Sequence, residues 1–209
     1  MACAICEKHR PRRFCPGERG DICTLCCGTE RETSVDCPLD CEYLQDAHLH
    51  ERCPALDPET VPNRDIRLTG QFLEDNAALV AISGGALFDA AARTPGVFDS
   101  DVRQALEALV RTYRTLQSGV YYQTRPDNLL AGNICALVGE ALDGYRRDER
   151  ERGGVSRTRD ADVLGVLVFL QRLEYDRSNG RPRGRAFLDF LRRTFVTPAA
   201  GPPSGLLVP

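Results

Sequence analysis

From residue 66 onward, apolar positions recur at helical spacing along almost the whole chain. Between Ile66 and Arg93 the anchors are Ile66, Phe72, Leu73, Leu79, Val80, Ile82, Leu87 and Phe88. Ser83-Gly84-Gly85 interrupts them with small residues that either admit a close helix crossing or bend the helix. After Thr94-Pro95-Gly96, Asp99 or Ser100 is placed to cap a second helix carrying Val102, Leu106, Leu109, Tyr113 and Leu116, which Ser118-Gly119 closes. Asp127 is the expected cap of a third helix, with Leu130, Ile134, Leu137, Val138, Ala141, Leu142 and Tyr145 inward. Its charged end, Arg146 to Arg152, is expected to fray. A fourth helix starts near Asp160 and is apolar on most sides from Val163 to Leu173, as the buried centre of a bundle should be. Ser178-Asn179-Gly180 stops it. A fifth, from about Gly184, carries Phe187, Leu188, Phe190, Leu191 and Phe195. No stretch of this region alternates with a period of two, so the pattern predicts a mostly α fold. The expected organisation is a helical bundle over 66–196 and a Pro- and Gly-rich tail, 197–209, without fixed structure.

The opening residues follow another logic. They are short of large apolar side chains, yet nine of the ten cysteines lie between Cys3 and Cys53. Closely spaced thiols on tight turns are what a tetrahedral Zn2+ site requires, with Zn–S bonds of about 2.3 Å. The pairs Cys3/Cys6 and Cys23/Cys26 suit one site. Cys15, Cys37 and Cys41 suit a second, completed by Cys27 or, failing that, Glu18. A sequential assignment, with Cys15 joining Cys3 and Cys6, remains open on spacing alone. The expectation is a two-zinc module over residues 1–53. It ends in a short helix from Cys41 to Arg52 with Tyr43, Leu44, Ala47 and Leu49 as its apolar stripe, stopped by Pro54. His48, His50 and Cys53 are candidates for a third metal. Pro54, Pro58 and Pro62 make residues 54–65 a stiff linker.

Charge adds a constraint. Two tetrathiolate sites each carry a formal charge of about −2, which amide N–H groups or cations must offset. Lys8, Arg10, Arg12, Arg13, Arg19 and Arg31 lie in the right stretch. The same arginines, with Arg181, Arg183 and Arg185, could instead form a nucleic-acid patch. A net charge of −3 and the single interleaved aromatic, Phe14, give that reading little help. No charged-then-apolar leader opens the chain, and its longest apolar run is far short of a membrane span. A cytoplasmic location is therefore expected, where thiols are read as ligands rather than as disulfides.

The run Cys3-x2-Cys6, Phe14-Cys15 and Ile22-Cys-Thr-Leu-Cys26 resembles the B-box zinc finger, over about a fifth of the chain. That resemblance implies a cross-braced, two-zinc fold serving protein–protein interaction, although Cys37 and Cys41 stand where a B-box has histidines at a shorter gap. Ile22-Cys-Thr-Leu-Cys-Cys-Gly-Thr-Glu-Arg31 followed by Asp36-Cys-Pro-Leu-Asp-Cys-Glu-Tyr-Leu44 is similar to a motif of an uncharacterised bacterial family, and that similarity implies no activity. The bundle contains no histidine, and the chain has no phosphate-binding glycine loop and no nucleophile elbow. Cys135, set among Ile134 and Leu137, reads as a core thiol. The expected function is a zinc-binding, non-enzymatic cytosolic adaptor or regulatory protein that contacts a protein partner or itself. Nucleic-acid binding and a thiol-based zinc or redox sensor are the alternatives.

Overall fold

A computed structural model describes residues 2–51 and 59–196. The described residues are mostly α. They form β1 (Arg13–Cys15), β2 (Gly20–Ile22), α1 (Thr24–Glu30), α2 (Glu42–His50), α3 (Gly70–Asp75), α4 (Ala77–Arg93), α5 (Asp99–Gln117), α6 (Leu129–Gly153), α7 (Asp160–Arg177) and α8 (Ala186–Phe195). Residues 66–196 build the expected bundle. Its centre is α7, where Val163, Val166, Leu167 and Val168 are wholly buried. α5 packs along α7, and α4 lies between α6 and α8. The inward positions of α5 and α6 are those the periodicity marks, Val102, Leu106, Leu109, Ile134, Val138 and Leu142 among them. Cys135 is a buried core thiol that donates to the Ala105 carbonyl at 3.4 Å. No helix among the described residues is long and apolar enough to cross a membrane.

Several element ends differ from the sequence reading, each for a tertiary reason. The 66–93 segment divides at Asn76, whose backbone leaves the helical region and whose side chain donates to the Phe72 carbonyl at 2.9 Å. Ser83-Gly84-Gly85 runs unbroken inside α4. A Cβ at Gly84 would come within 2.6 Å of the Phe195 ring, so this glycine serves a close approach of α8 rather than a bend. Asp99 does not cap its own helix. Its carboxylate accepts the Phe187 and Leu188 amides at 2.9 and 3.1 Å, satisfying the start of α8, while Asp101 accepts the Phe98 amide at 2.8 Å. Burial pushes the Asp99 carboxyl up to about 7 despite those amides. Asn128, rather than Asp127, caps α6 through the Leu130 amide at 2.9 Å. The charged end of α6 stays helical to Gly153 and stops at Gly154, φ +76, because the loop beyond it grips Glu149 through the Ser156 and Thr158 hydroxyls.

The cysteine-rich region is a small hairpin followed by α1 and α2. β1 and β2 pair antiparallel, Arg13 opposite Ile22 and Cys15 opposite Gly20. α2 begins after Cys41 as expected. It ends at His50, where Glu51 turns extended, two residues short of the expected Arg52; Cys53, Pro54 and the 197–209 tail lie outside the described residues. The described part of the 54–65 segment does not stand clear of the bundle. Arg172 on α7 donates to the carbonyls of Pro62, Asn63 and Ile66 at 3.1, 2.6 and 2.9 Å, and Arg114 on α5 grips Asn63 and Asp65.

Candidate metal centre

The first two cysteine pairs meet. Cys3 and Cys6 lie on the turn before β1, and Cys23 and Cys26 on the step from β2 into α1. Their four sulfurs all lie within 4.8 Å of one another. A tetrahedral ion with bonds of about 2.3 Å separates its sulfurs by about 3.8 Å, so the quartet fits one ion after a small contraction. The backbone holds the turns together: Cys3 donates to the His9 carbonyl and Ala4 to the Asp21 carbonyl, both at 2.9 Å. Glu7 adopts φ +54 between them, the left-handed residue such a knuckle needs.

Amide N–H groups supply the compensation that thiolates demand. Cys23 N–H donates to Cys3 Sγ at 3.2 Å and Cys26 N–H to Cys23 Sγ at 3.4 Å. The amides of His9 and Lys8, aided by the His9 ring 3.4 Å away, hold the Cys6 thiol down at about 5. Burial and the neighbouring Cys23 and Cys6 sulfurs push Cys26 strongly the other way. Such opposed shifts are those of sulfurs crowded into one site, where a shared cation would relieve the repulsion. Four soft sulfurs around one centre select a thiophilic tetrahedral cation.

The second predicted set is arranged differently. Cys15, Cys27, Cys37 and Cys41 line a common cavity of about 20 Å3, closed by Ile22, Leu44 and the Tyr43 ring. These sulfurs do not close to the mutual spacing of the first quartet. Glu18, the alternative fourth ligand, is exposed and absent from the cavity wall. The hole has room for about one water or ion, but its walls carry few groups able to hold a water by hydrogen bonds. Two guanidinium groups reach the Cys27 sulfur, Arg13 Nη1 at 3.6 Å and Arg31 Nη2 at 3.8 Å. Arg13 also stacks over Tyr43, 3.9 Å from the ring centre. The buried Nε of Arg31 has no partner. Two cations beside four thiols match the charge a tetrathiolate would bring, so the chemistry of the donor set suits an ion, while its sulfur spacing is wider than that of the first quartet.

His48 and His50 part company. His50 is exposed, 3.5 Å from Asp46, whereas the His48 side chain is sealed between the two halves of the molecule. His48 Nε2 lies 3.1 Å from both oxygens of Glu32, and Nδ1 lies 3.3 Å from Asp189 on α8. All three side chains are at most 1% exposed. A neutral imidazole has one N–H, but here a carboxylate faces each nitrogen, so the ring is an imidazolium. Burial opposes that charge, yet hydrogen bonds to Asp189 and Glu32 carry the ring up to about 9. Burial likewise pushes both carboxyls up, and it is overcome jointly, by His48, the Arg185 amide and Asn179 at Glu32 and by His48, Arg193 and Arg192 at Asp189, so that both lie below the usual range.

Glu32, His48 and Glu51 also stand close enough to ligate a metal. The space between the two carboxylates is already filled by the protein: Asn179 Nδ2 donates to Glu32 at 2.8 Å and to Glu51 at 3.2 Å, and Arg181 pairs with Glu51 at 2.6 Å. This is an ion network with its charges met internally.

Sequence reasoning missed Glu32, Asp189 and Asn179, and it named Arg181, Arg183 and Arg185 only as part of the nucleic-acid alternative. Arg181, Arg183 and Arg185 each donate to a backbone carbonyl of the cysteine region, Arg183 from an exposed position. Nothing local signals these contacts, which join residues about 150 positions apart. Comparison with protein-family models, with curated proteins and with solved structures finds no match to this chain.

Proposed function

We propose that this is a zinc-binding, non-enzymatic adaptor or regulatory protein that works through protein–protein contact. It carries two Zn2+ ions, one on Cys3, Cys6, Cys23 and Cys26 and one on Cys15, Cys27, Cys37 and Cys41. The observation that carries the reading is the first quartet: four sulfurs saturate a tetrahedral ion and leave no position for a substrate or reactive water, the mark of a structural site. Leu25, between two of those ligands, and Phe14 on β1 stay about 60% exposed, which suits a metal-rigidified surface offered to a partner. The nucleic-acid alternative loses support because Arg181, Arg183 and Arg185 are engaged with backbone carbonyls of the cysteine region. The sensor alternative draws on one feature, the paired arginines at Cys27.

Native mass spectrometry with elemental analysis tests this reading. Two zinc ions per chain are expected, together with no salt-sensitive affinity for DNA or RNA at low ionic strength. A metal-free folded chain, or tight nucleic-acid binding that weakens steeply with salt, would refute it.

A further inference from the structure

The loop from Arg31 to Cys37 joins two of the proposed ligands of the second ion, and the turn between α7 and α8 holds it at nearly every step. Arg181 Nη1 donates to the Arg31 carbonyl at 2.9 Å and Arg183 Nη1 to the Ser34 carbonyl at 2.6 Å. Arg185 Nη1 donates to the Cys37 carbonyl at 2.8 Å and also meets Asp36. Two main-chain bonds run the same way, Arg183 N–H to the Glu32 carbonyl at 2.9 Å and Arg185 N–H to Glu32 Oε1 at 2.6 Å.

Glu32 is the hinge of this arrangement. Its carbonyl accepts the Arg183 amide, while its carboxylate sits in the sealed network with His48, Asn179 and, through His48, Asp189. It also adopts φ +54, a conformation that a side chain of its size keeps only when its surroundings hold it there. One residue of the loop that leads to Cys37 is therefore held by the α7–α8 turn through its main chain and by the bundle through its side chain. Among the described residues the first quartet has no such link; its bonds close within the first 27 residues.

We infer that the second cysteine set is a metal-dependent latch: an ion on Cys15, Cys27, Cys37 and Cys41 fixes the Arg31–Cys37 loop in the shape that docks onto the turn between α7 and α8, and docking in turn holds the ion. This rests on the two-ion reading above. Because linkage is reciprocal, anything that loosens the dock weakens the second ion, and removal of that ion loosens the dock. The first ion keeps the hairpin and α1 folded in either state. Glu32, His48 and Asp189 are positioning residues in this scheme, acting on the metal through the loop.

The test uses the full zinc-loaded chain. Cys41→Ser empties the second site, and hydrogen exchange is then read at the Arg183 and Arg185 amides, which bond directly to Glu32. Their exchange is expected to speed up about five- to a hundredfold, the range of ordinary coupling, with the Cys23 and Cys26 amides unchanged. In the reciprocal arm, Asp189→Asn is mixed with a chromophoric chelator. One of the two ions is expected to leave faster by a similar factor and the other at the wild-type rate. Should either variant fail to fold, stepwise chelator titration of the wild-type chain reads the same two amides. Unchanged Arg183 and Arg185 protection after loss of one ion, or equal acceleration of both ions in Asp189→Asn, overturns the latch. A wild-type count of one ion removes the two-ion reading and the latch together.

Discussion

The two cysteine quartets share a hairpin and a ligand chemistry, yet their surroundings are opposite. Around Cys3, Cys6, Cys23 and Cys26 the compensating charge comes from nearby amides, which cannot leave. Around Cys15, Cys27, Cys37 and Cys41 it comes from Arg13 and Arg31 and from a loop held by a helix far along the chain. A site neutralised by its own turns is self-contained. A site neutralised by side chains and distant contacts reports on them. The same ligand type can therefore build a fixed brace and a responsive joint within about forty residues.

The largest test of that contrast is Cys23→Ser. Structural zinc contributes on the order of 10 kcal/mol to the folding of such small units, so residues 2–30 should become protease-sensitive while α4 to α8 keep their helical circular dichroism. An intact hairpin in that variant would show that the first quartet is not the brace. Next is His48→Leu, which leaves the Glu32 and Asp189 carboxylates buried and facing an apolar group. A loss of about 3–5 kcal/mol in urea unfolding is expected, and the second ion, not the first, should be the one weakened.

A smaller effect follows from pH. His48 has its folded value raised from about 6.5 to about 9. Its contribution is therefore complete below pH 6.5 and is lost as pH rises through about 9. Glu32 and Asp189 face the ring directly, Arg192 and Arg193 flank Asp189, and Arg181 neutralises Glu51 beside it. The difference in unfolding free energy between wild type and His48→Gln should shrink between pH 7 and 10, a comparison that cancels the separate titration of Asp99 near 7. A difference that stays flat would mean that the ring is neutral. The smallest expected effect is Arg31→Met. It removes one exchangeable cation from Cys27 and should speed release of the second ion only a few-fold, leaving overall stability within about 1 kcal/mol.

How much of this was legible in the residues follows the range of the interactions. Val102, Leu106, Leu109 and Tyr113 disclose α5 because a helix repeats within four residues. Cys3, Cys6, Cys23 and Cys26 disclose the first quartet because two short turns set the sulfur spacing. The Gly84 contact was hidden because its reason, the Phe195 ring, lies more than a hundred residues away. Asp99 looked like a cap and is one, but for α8, a choice made by packing rather than by local propensity. Glu32 and His48 were the hardest: in contact though 16 residues apart, and with Asp189, 141 residues beyond His48, on the other side of the ring, they carry no local pattern that separates a sealed ion network from a solvated surface.

That separation has a consequence for biosynthesis. A growing chain presents Glu32 and His48 to solvent long before Asp189 emerges from the ribosome, because α8 is the last of the described helices to be made. The hairpin can mature at once, since every contact it needs has already been synthesised. The joint to the bundle must wait until α8 is made, and until then the nascent protein displays Glu32 and an imidazole lacking its second carboxylate, which chaperones or stray cations can reach.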